Sequence, residues 1–284
     1  MGTLYLVGTP IGNLEDITLR ALRILKEADL IACEDTRHTA KLLARYGIGT
    51  PMESYHKFNE ATRAQQLVQR LREGKNIVLV SDSGMPLISD PGYELVSCCR
   101  KEGIPVIPVP GPSAALAALI GSGLPVDSFY FAGFLPPRAG LRKRRLGALS
   151  SIPATLIFYE APHRILSSLE DMIAVLGERR ACMARELTKI HEEFLHGTLP
   201  EILADLRARP GIKGEITLVI EQGEQIQANS VYPDSIMQHL EQEMNKSFLP
   251  RNEALKSVAK RRGISRRDAY RQLIAELDSI EKPE

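Results

Sequence analysis

Short apolar, β-branched runs alternate with longer stretches of helical apolar spacing from the first residues of the chain. Leu4–Val7, Leu30–Cys33, Ile77–Val80 and Pro105–Val109 predict strands, and Ile17–Lys26, Ala61–Glu73 and Leu87–Glu102 predict helices between them. Strand–helix–strand alternation implies a largely parallel sheet with helices on both faces. The punctuation Gly121-Ser122-Gly123-Leu124-Pro125 suggests a domain boundary. A second α/β set follows, with strands at Phe129–Ala132, Thr155–Tyr159, Ala181–Ala184 and Ile216–Glu221 and an amphipathic helix over Ile165–Val175. After Gly223 the chain turns polar and linker-like over Glu224–Ser230, and a helical tail follows. Its two strong segments are Asn252–Arg262 and Arg266–Ile280, with Gly263 suited to a helix C′ position and Ser265 to an N-cap completed by Asp268. The expected fold class is α/β, with two α/β domains over residues 1–121 and 122–223 and a small all-helical tail over 231–284.

Composition narrows the function classes. With 284 residues, 44% hydrophobic and 25% charged, the chain can bury one or two sizeable cores. No apolar run approaches the roughly 20 residues that span a bilayer, and the N-terminus enters a strand at once, so no membrane role and a cytoplasmic location are expected. Cys33, Cys98, Cys99 and Cys182 form no C-x-x-C pair, which argues against a zinc site or a disulfide framework. His191 and His196 are five apart, which breaks the H-E-x-x-H spacing, so no metal is expected. Formal net charge is +1, so nucleic-acid binding would have to rest on local clusters.

Three loops at strand ends carry the candidate chemistry, because open α/β sheets bind ligands outside the carboxyl ends of their strands. Gly8-Thr9-Pro10-Ile11-Gly12-Asn13 fails both the dinucleotide fingerprint and the P-loop pattern, which leaves a tight turn or a close backbone approach to a ligand. Ser81–Gly92 (SDSGMPLISDPG) is long and rich in Gly, Pro and Asp. It offers Asp82 as an acceptor for ligand donors, unless it merely places Asp90 as a helix cap. Pro108–Ala115 puts Pro112 where N1 of an Ala-rich helix is expected, aiming helix-start N–H groups into the same crevice.

Charged groups recur at strand ends in Glu34-Asp35-Thr36-Arg37, Tyr159–Arg164 and Arg185–Lys189, where they read either as a functional mouth or as structural ion pairs. Two basic clusters stand against the neutral total. One holds Arg138, Arg142, Lys143, Arg144 and Arg145. The other, on the tail, holds Lys256, Lys260, Arg261, Arg262, Arg266, Arg267 and Arg271. Such clusters suit phosphate-backbone contact, the alternative being solvated helix faces.

Taken together, GTPIGNLEDIT (Gly8–Thr18), Glu34–Arg37, Ser81–Gly92, Gly111–Ala114, Tyr159–Arg164, Arg185–Lys189 and KGEITLVIE (Lys213–Glu221) resemble the tetrapyrrole methylase-like S-adenosylmethionine methyltransferases. More narrowly they resemble the ribosomal RNA branch, small-subunit methyltransferases that modify a cytidine 2′-oxygen in the decoding region of 16S RNA. The resemblance covers about residues 3 to 223. It implies S-adenosylmethionine folded into a cleft between two α/β domains, a homodimer, and 16S rRNA as partner, within the small ribosomal subunit. By position it implies cofactor contacts at Pro10, Ile11, Asp82, Gly84, Met85, Ser113 and Ala114, and less distinctively at Tyr159, Ala184, Arg185 and Gly214. No catalytic base carries over with it.

A ribose hydroxyl needs a base or a cation to become nucleophilic. Glu34, Asp35, Arg37, Glu186 and Lys189 are the candidates at the expected mouth, with Glu34 or Glu186 accepting the proton and Lys189 or Arg37 stabilising an alkoxide. Arg142, Lys143, Arg144, Arg145, Lys260, Arg261, Arg262, Arg266 and Arg267 are the candidates for RNA contact. Methylation of a tetrapyrrole or other small molecule on the same fold, and a non-catalytic RNA-binding assembly factor, are the competing readings. The basic clusters and the tail weigh against the first.

Overall fold

The computed structural model describes residues 1–223, 233, 235–247, 250–262 and 264–280. The chain divides into two compact units, Met1–Gly223 and Glu224–Glu284.

The first unit holds two five-stranded sheets. In the first sheet, β1 (Leu4–Val7), β2 (Leu30–Cys33), β3 (Met52–Ser54), β4 (Ile77–Val80) and β5 (Val106–Val109) run parallel in the order β3-β2-β4-β1-β5. β2 and β4 are buried at every residue, as continuous apolar runs covered on both faces should be. One face packs α3 (Glu60–Arg72) and α4 (Tyr93–Lys101) through Leu67, Leu71, Leu95 and Cys99. The other packs α1 (Leu19–Glu27) and α2 (Thr36–Arg45) through Ile24, Leu25, Leu42 and Leu43. Thr18 caps α1 and Asp35 caps α2, each accepting from a first-turn N–H.

Both the parallel pairing and the two covered faces follow the sequence pattern. The helix expected over Leu87–Glu102 does not begin until Tyr93. Pro86, Pro91 and Gly92 break its first part, and Leu87 and Ser89 sit at φ +70° and +71°. Pro112 is likewise not the first residue of a helix: α5 (Ala114–Gly121) starts after an extended Ser113 N-cap.

The second sheet is mixed. Its order is β6 (Phe129–Phe134), β7 (Thr155–Glu160), β10 (Ile216–Ile220), β8 (Arg180–Arg185), β9 (Glu193–Thr198). Only β6 and β7 pair in parallel; the other three ladders are antiparallel. One face buries α6 (Ala139–Leu149), α7 (Ile165–Leu176) and α8 (Leu199–Ala208) around Phe158 and Leu218. The other face receives α5, whose Ala115, Ala118 and Leu119 pack on Ile157, Cys182 and Val219 together with Ile11 and Leu187. Thus the helix before the Gly121–Pro125 punctuation packs against the sheet that follows it. All four cysteines are free thiols, and Cys33, Cys99 and Cys182 are buried.

The second unit contains α9 (Ile236–Ser247), α10 (Arg251–Arg261) and α11 (Arg266–Ile280) around Leu240, Leu255, Val258 and Leu273. Glu276 of α11 accepts from the backbone N–H groups of Ile236 and Met237, holding the start of α9. Ser265 caps α11 by accepting from the Asp268 N–H at 3.1 Å. The expected linker Glu224–Ser230 and the expected C′ glycine, Gly263, lie outside the described residues. Among the described residues no helix is long and apolar enough to cross a membrane.

Candidate active site

The loops after β1, β4 and β5 meet through backbone. Thr9 and Gly84 exchange both N–H···O bonds, at 2.9 and 3.1 Å, and the buried Thr9 hydroxyl donates to Ser81 O. A Cβ on Gly8 would stand 2.8 Å from Gly111 Cα, so neither loop tolerates a side chain where they cross. The first loop also meets the second sheet: Asn13 N–H donates to Thr188 Oγ1 at 2.9 Å.

Between these loops and the ends of β7 and β10 lies a cavity of about 350 Å3, the size of a small-molecule site. Ile11, Met85, Ile88, Ala114, Phe134 and Tyr159 form its apolar wall. Ser83, Ser89, Ser113 and Thr217 contribute hydroxyls, and Asp90, Glu160 and Glu215 contribute carboxyl groups. Tyr159 is stacked edge-on by Phe131 and Phe134, with ring centroids 4.9 and 5.6 Å away.

Among the described residues, positive φ at non-glycine positions falls in two loops. The residues in this left-handed region are Leu87 and Ser89 after β4 and Glu186 and Thr188 after β8. Each such residue costs of order 1 kcal/mol or more and persists only where its surroundings fix it, a pattern typical of ligand clamps.

The acids divide by environment. After β2 and β4, Glu34 and Asp90 lie near Asp82, and His56 exerts a smaller opposing pull on Glu34. Burial, and then the Asp82 charge, push the Glu34 carboxyl up. Burial, and then Glu34 and Asp82, push Asp90 up to about 6, although the Ser81 hydroxyl supports its charged form. After β8 the carboxylates are neutralised. Glu186 accepts from Lys189 Nζ at 2.8 Å and from Glu215 N–H at 3.0 Å, and these bonds hold it low. Glu193 sits between Arg209 and Arg185 and is held at about 2, Arg209 being the larger cause.

Of the residues expected to touch cofactor, Ile11, Gly84, Met85, Ser113, Ala114, Tyr159 and Gly214 line the cavity. Four do not. Pro10 is buried in its turn, and Ala184 is enclosed between α5 and the second sheet. Arg185 pairs with Glu193 at 2.8 Å on a separate hollow, and Asp82 Oδ1 accepts from Asp35 N–H at 3.0 Å. Asp82 therefore ties two loops together.

The expected catalytic groups do not line this cavity either. Glu34 is not among the residues that line the cavity, and Arg37 is 89% exposed and bound to Asp35, whose carboxyl that bond holds at about 2. Glu186 and Lys189 bond to one another beside Gly12 and Asn13 in a neighbouring hollow. Gly214 fixes that pairing: at φ +91°, a Cβ there would lie 2.5 Å from the Glu186 carboxyl.

Among the basic residues, Arg142 is corrected outright. It is 4% exposed and its guanidinium bonds to Asp171 at 2.6 Å, Pro137 O and Ser167 O, so it is an internal anchor and not an RNA contact. Lys143, Arg144 and Arg145 are exposed on the outer side of α6, Lys143 reaching Asp171 and Arg145 the Tyr130 hydroxyl. On the tail, Arg262 donates to His239 Nδ1 and to the Pro233 and Ser235 carbonyls, which makes it structural too. Arg261 pairs with Glu243, while Arg266 and Arg267 are exposed. The side chain of Lys260 lies outside the described residues.

The cavity's donor set fits an adenosyl cofactor. Ile11, Ala114 and Tyr159 supply apolar surface for a base, while the hydroxyls of Ser83, Ser113 and Thr217 supply polar partners for a ribose and an amino group. Sequence reasoning missed Asp90, Phe134, Glu160 and Glu215. Asp90 was visible in the quoted loop. Phe134, at the far end of a strand whose expected limit was Ala132, carried no signal.

This chain belongs to the tetrapyrrole (corrin/porphyrin) methylases, whose family model matches residues 3–203. Its relatives define a narrower group. It is 52% identical over 272 residues to the ribosomal RNA small subunit methyltransferase I of Halalkalibacterium halodurans, covering 95% of this chain and 93% of that protein. The protein of the same name from Escherichia coli O157:H7 is 45% identical over 276 residues, covering 95% and 94%. Among solved structures, the uroporphyrin-III C-methyltransferase of Thermus thermophilus complexed with S-adenyl homocysteine shares the fold. Its TM-score is 0.54 at 23% identity, over 78% of this chain and 98% of that one.

Proposed function

We propose that the protein transfers a methyl group from S-adenosylmethionine to the 2′-oxygen of a cytidine ribose in the decoding region of 16S ribosomal RNA. The observation that carries the reading is the near full-length similarity to ribosomal RNA small subunit methyltransferases I, joined to a cavity whose lining suits the cofactor. The exposed cations Lys143, Arg144, Arg145, Arg266 and Arg267 support an RNA substrate over a tetrapyrrole. The assembled small subunit as substrate, the homodimeric state, the cytoplasmic location and the division 1–121, 122–223 and 231–284 belong to the same proposal.

When bound, the cofactor supplies a methyl group on positively charged sulfur, already activated for displacement. The chain's task is alignment, because an in-line attack gains most from holding the acceptor oxygen at the methyl carbon. Ile11, Met85, Ala114 and Tyr159, the apolar part of the lining, would exclude water from the reacting groups. Ser83, Ser113 and the backbone at Gly214 would orient the polar parts of the cofactor. The strained Leu87–Ser89 turn holds the loop against the cavity in one conformation.

The test is reaction of the full chain with methyl-labelled cofactor and small subunits from cells lacking this protein, followed by digestion to nucleosides. The expected product is a 2′-O-methylated cytidine, and the RNA then resists alkaline cleavage at that site. Label in a methylated base would overturn the reading.

A further inference from the structure

A hydroxyl acceptor must lose its proton as its oxygen is methylated, so the cavity needs a base that is ionised, unengaged and facing the acceptor. Three carboxyl groups line it: Asp90, Glu160 and Glu215. Glu160 is excluded by its partners. Its Oε1 accepts from Ala161 N–H at 2.8 Å and Arg164 Nη2 at 2.6 Å, its Oε2 accepts from Ser168 Oγ at 2.6 Å, and its side chain is 1% exposed. Glu215 points outward, 72% exposed, with Lys189 Nζ at 3.2 Å, so water and a cation stabilise its charge. Glu186 is farther back and neutralised by Lys189.

We propose that Asp90 is the general base of the reaction. This rests on the acceptor being a ribose hydroxyl. Asp90 stands on the cavity wall in a half-buried position, with the Ser81 hydroxyl supporting its carboxylate. Its loop is fixed by the left-handed Leu87 and Ser89 directly before it. Glu34 and Asp82 act on it from the first-sheet side, and His56 in turn acts on Glu34. Tyr159, Glu160 and Glu215 face it across the cavity.

Burial first, and then the Glu34 and Asp82 charges, make the carboxylate more basic than an ordinary aspartate. As the 2′-oxygen forms its bond to the methyl carbon, the carbon–sulfur bond breaks with its electron pair passing to sulfur. Asp90 takes the hydroxyl proton. The products are a methyl ether, a neutral thioether and a protonated Asp90, which returns its proton to water.

The experiment compares wild type, Asp90→Asn and Asp90→Glu in single-turnover methylation of small subunits lacking the modification, with S-adenosylmethionine affinity measured by calorimetry. Asp90→Asn is expected to slow methyl transfer by about 10²–10⁴-fold while cofactor affinity stays within about threefold. The wild-type rate should rise through a group titrating near 6 and then level, and Asp90→Asn should lose that limb. Asp90→Glu should keep it.

An Asp90→Asn enzyme of near wild-type rate would overturn the proposal. So would an unchanged acid limb, or a defect confined to cofactor affinity. Should Asp90→Asn fail to fold, the wild-type profile decides, since a flat rate from pH 5 to 8 removes any such base. Nucleoside analysis of the wild-type product tests the acceptor separately from Asp90.

Discussion

The two walls of the cavity handle charge in opposite ways. On the first-sheet side, burial and the Asp82 charge push the Glu34 and Asp90 carboxyls up, against only a smaller pull of His56 on Glu34 and of the Ser81 hydroxyl on Asp90. On the second-sheet side every acid named has a cation partner: Glu160 has Arg164, Glu186 has Lys189, Glu193 has Arg185 and Arg209, and Asp171 has Arg142. Glu34 just past β2 and Glu160 at the end of β7 represent the two arrangements at strand ends, and both arrangements bury their acids at least in part. Only the compensated one stabilises the fold. The uncompensated one stores unfavourable energy at the site, which is where a group of altered basicity is useful.

The strongest test of the compensated side removes Arg142. Its loss leaves the Asp171 carboxylate, 10% exposed, with only Lys143 at 3.2 Å. Breaking a buried pair by deleting one partner costs about 3–5 kcal/mol. Urea unfolding of Arg142→Met should show a loss of that order, whereas Arg144→Gln, on the exposed side of the same helix, should stay within about 0.5 kcal/mol. A loss below about 1 kcal/mol for Arg142→Met would mean that Lys143 compensates Asp171 alone.

A smaller effect is expected at Glu193. Because its folded carboxyl is held at about 2 against an ordinary 4.5, it contributes stability above pH 4.5 that is lost as pH falls toward 2. Glu193→Gln should cost about 1–2 kcal/mol at pH 7, the lower range for charge-assisted bonds because the carboxylate is part exposed. The cost should vanish near pH 2. Equal losses at pH 7 and pH 2.5 in denaturant titrations would show that packing, not charge, is what Glu193 supplies.

The contrast between the walls explains which parts of the molecule were legible in advance. Continuous runs such as Ile77–Val80 identify themselves as buried parallel strands, and the Ser81–Gly92 loop is marked as a ligand loop by following one. Which carboxylate of that loop faces the cavity was not legible. Asp82 turns to the Asp35 N–H and Asp90 turns inward because of tertiary contacts, above all the left-handed turn at Leu87 and Ser89, and neither residue type announces that conformation.

The mixed second sheet was hidden for a related reason. Glu193–Thr198 has no clean alternation, so β9, and the antiparallel pairing it makes, left no pattern. Arg142 could have been found. It is spaced four and seven residues from Leu146 and Leu149, which share the buried face of α6. The density of basic residues around it masked that spacing.

The smallest effect, and the one that inverts the sign, concerns stability at Asp90. A carboxyl whose folded value is raised to about 6 from 3.8 binds its proton more tightly in the folded protein than in the unfolded chain. The folded state is therefore favoured fully below pH 3.8 and loses that advantage as pH rises through 6. At pH 8 the wild type bears an ionised Asp90 beside Glu34 and Asp82, and Asp90→Asn removes that repulsion while keeping the shape. The variant should be more stable than wild type at pH 8 by about 1 kcal/mol, a gain of roughly 2–4 °C in Tm, and the gain should shrink toward pH 4. Glu193→Gln moves the other way over its own pH range, which separates the two walls by sign alone. Thermal melts from pH 4 to pH 8 decide it. A pH-independent difference, or a loss at pH 8, would show that Asp90 is compensated like the acids opposite it.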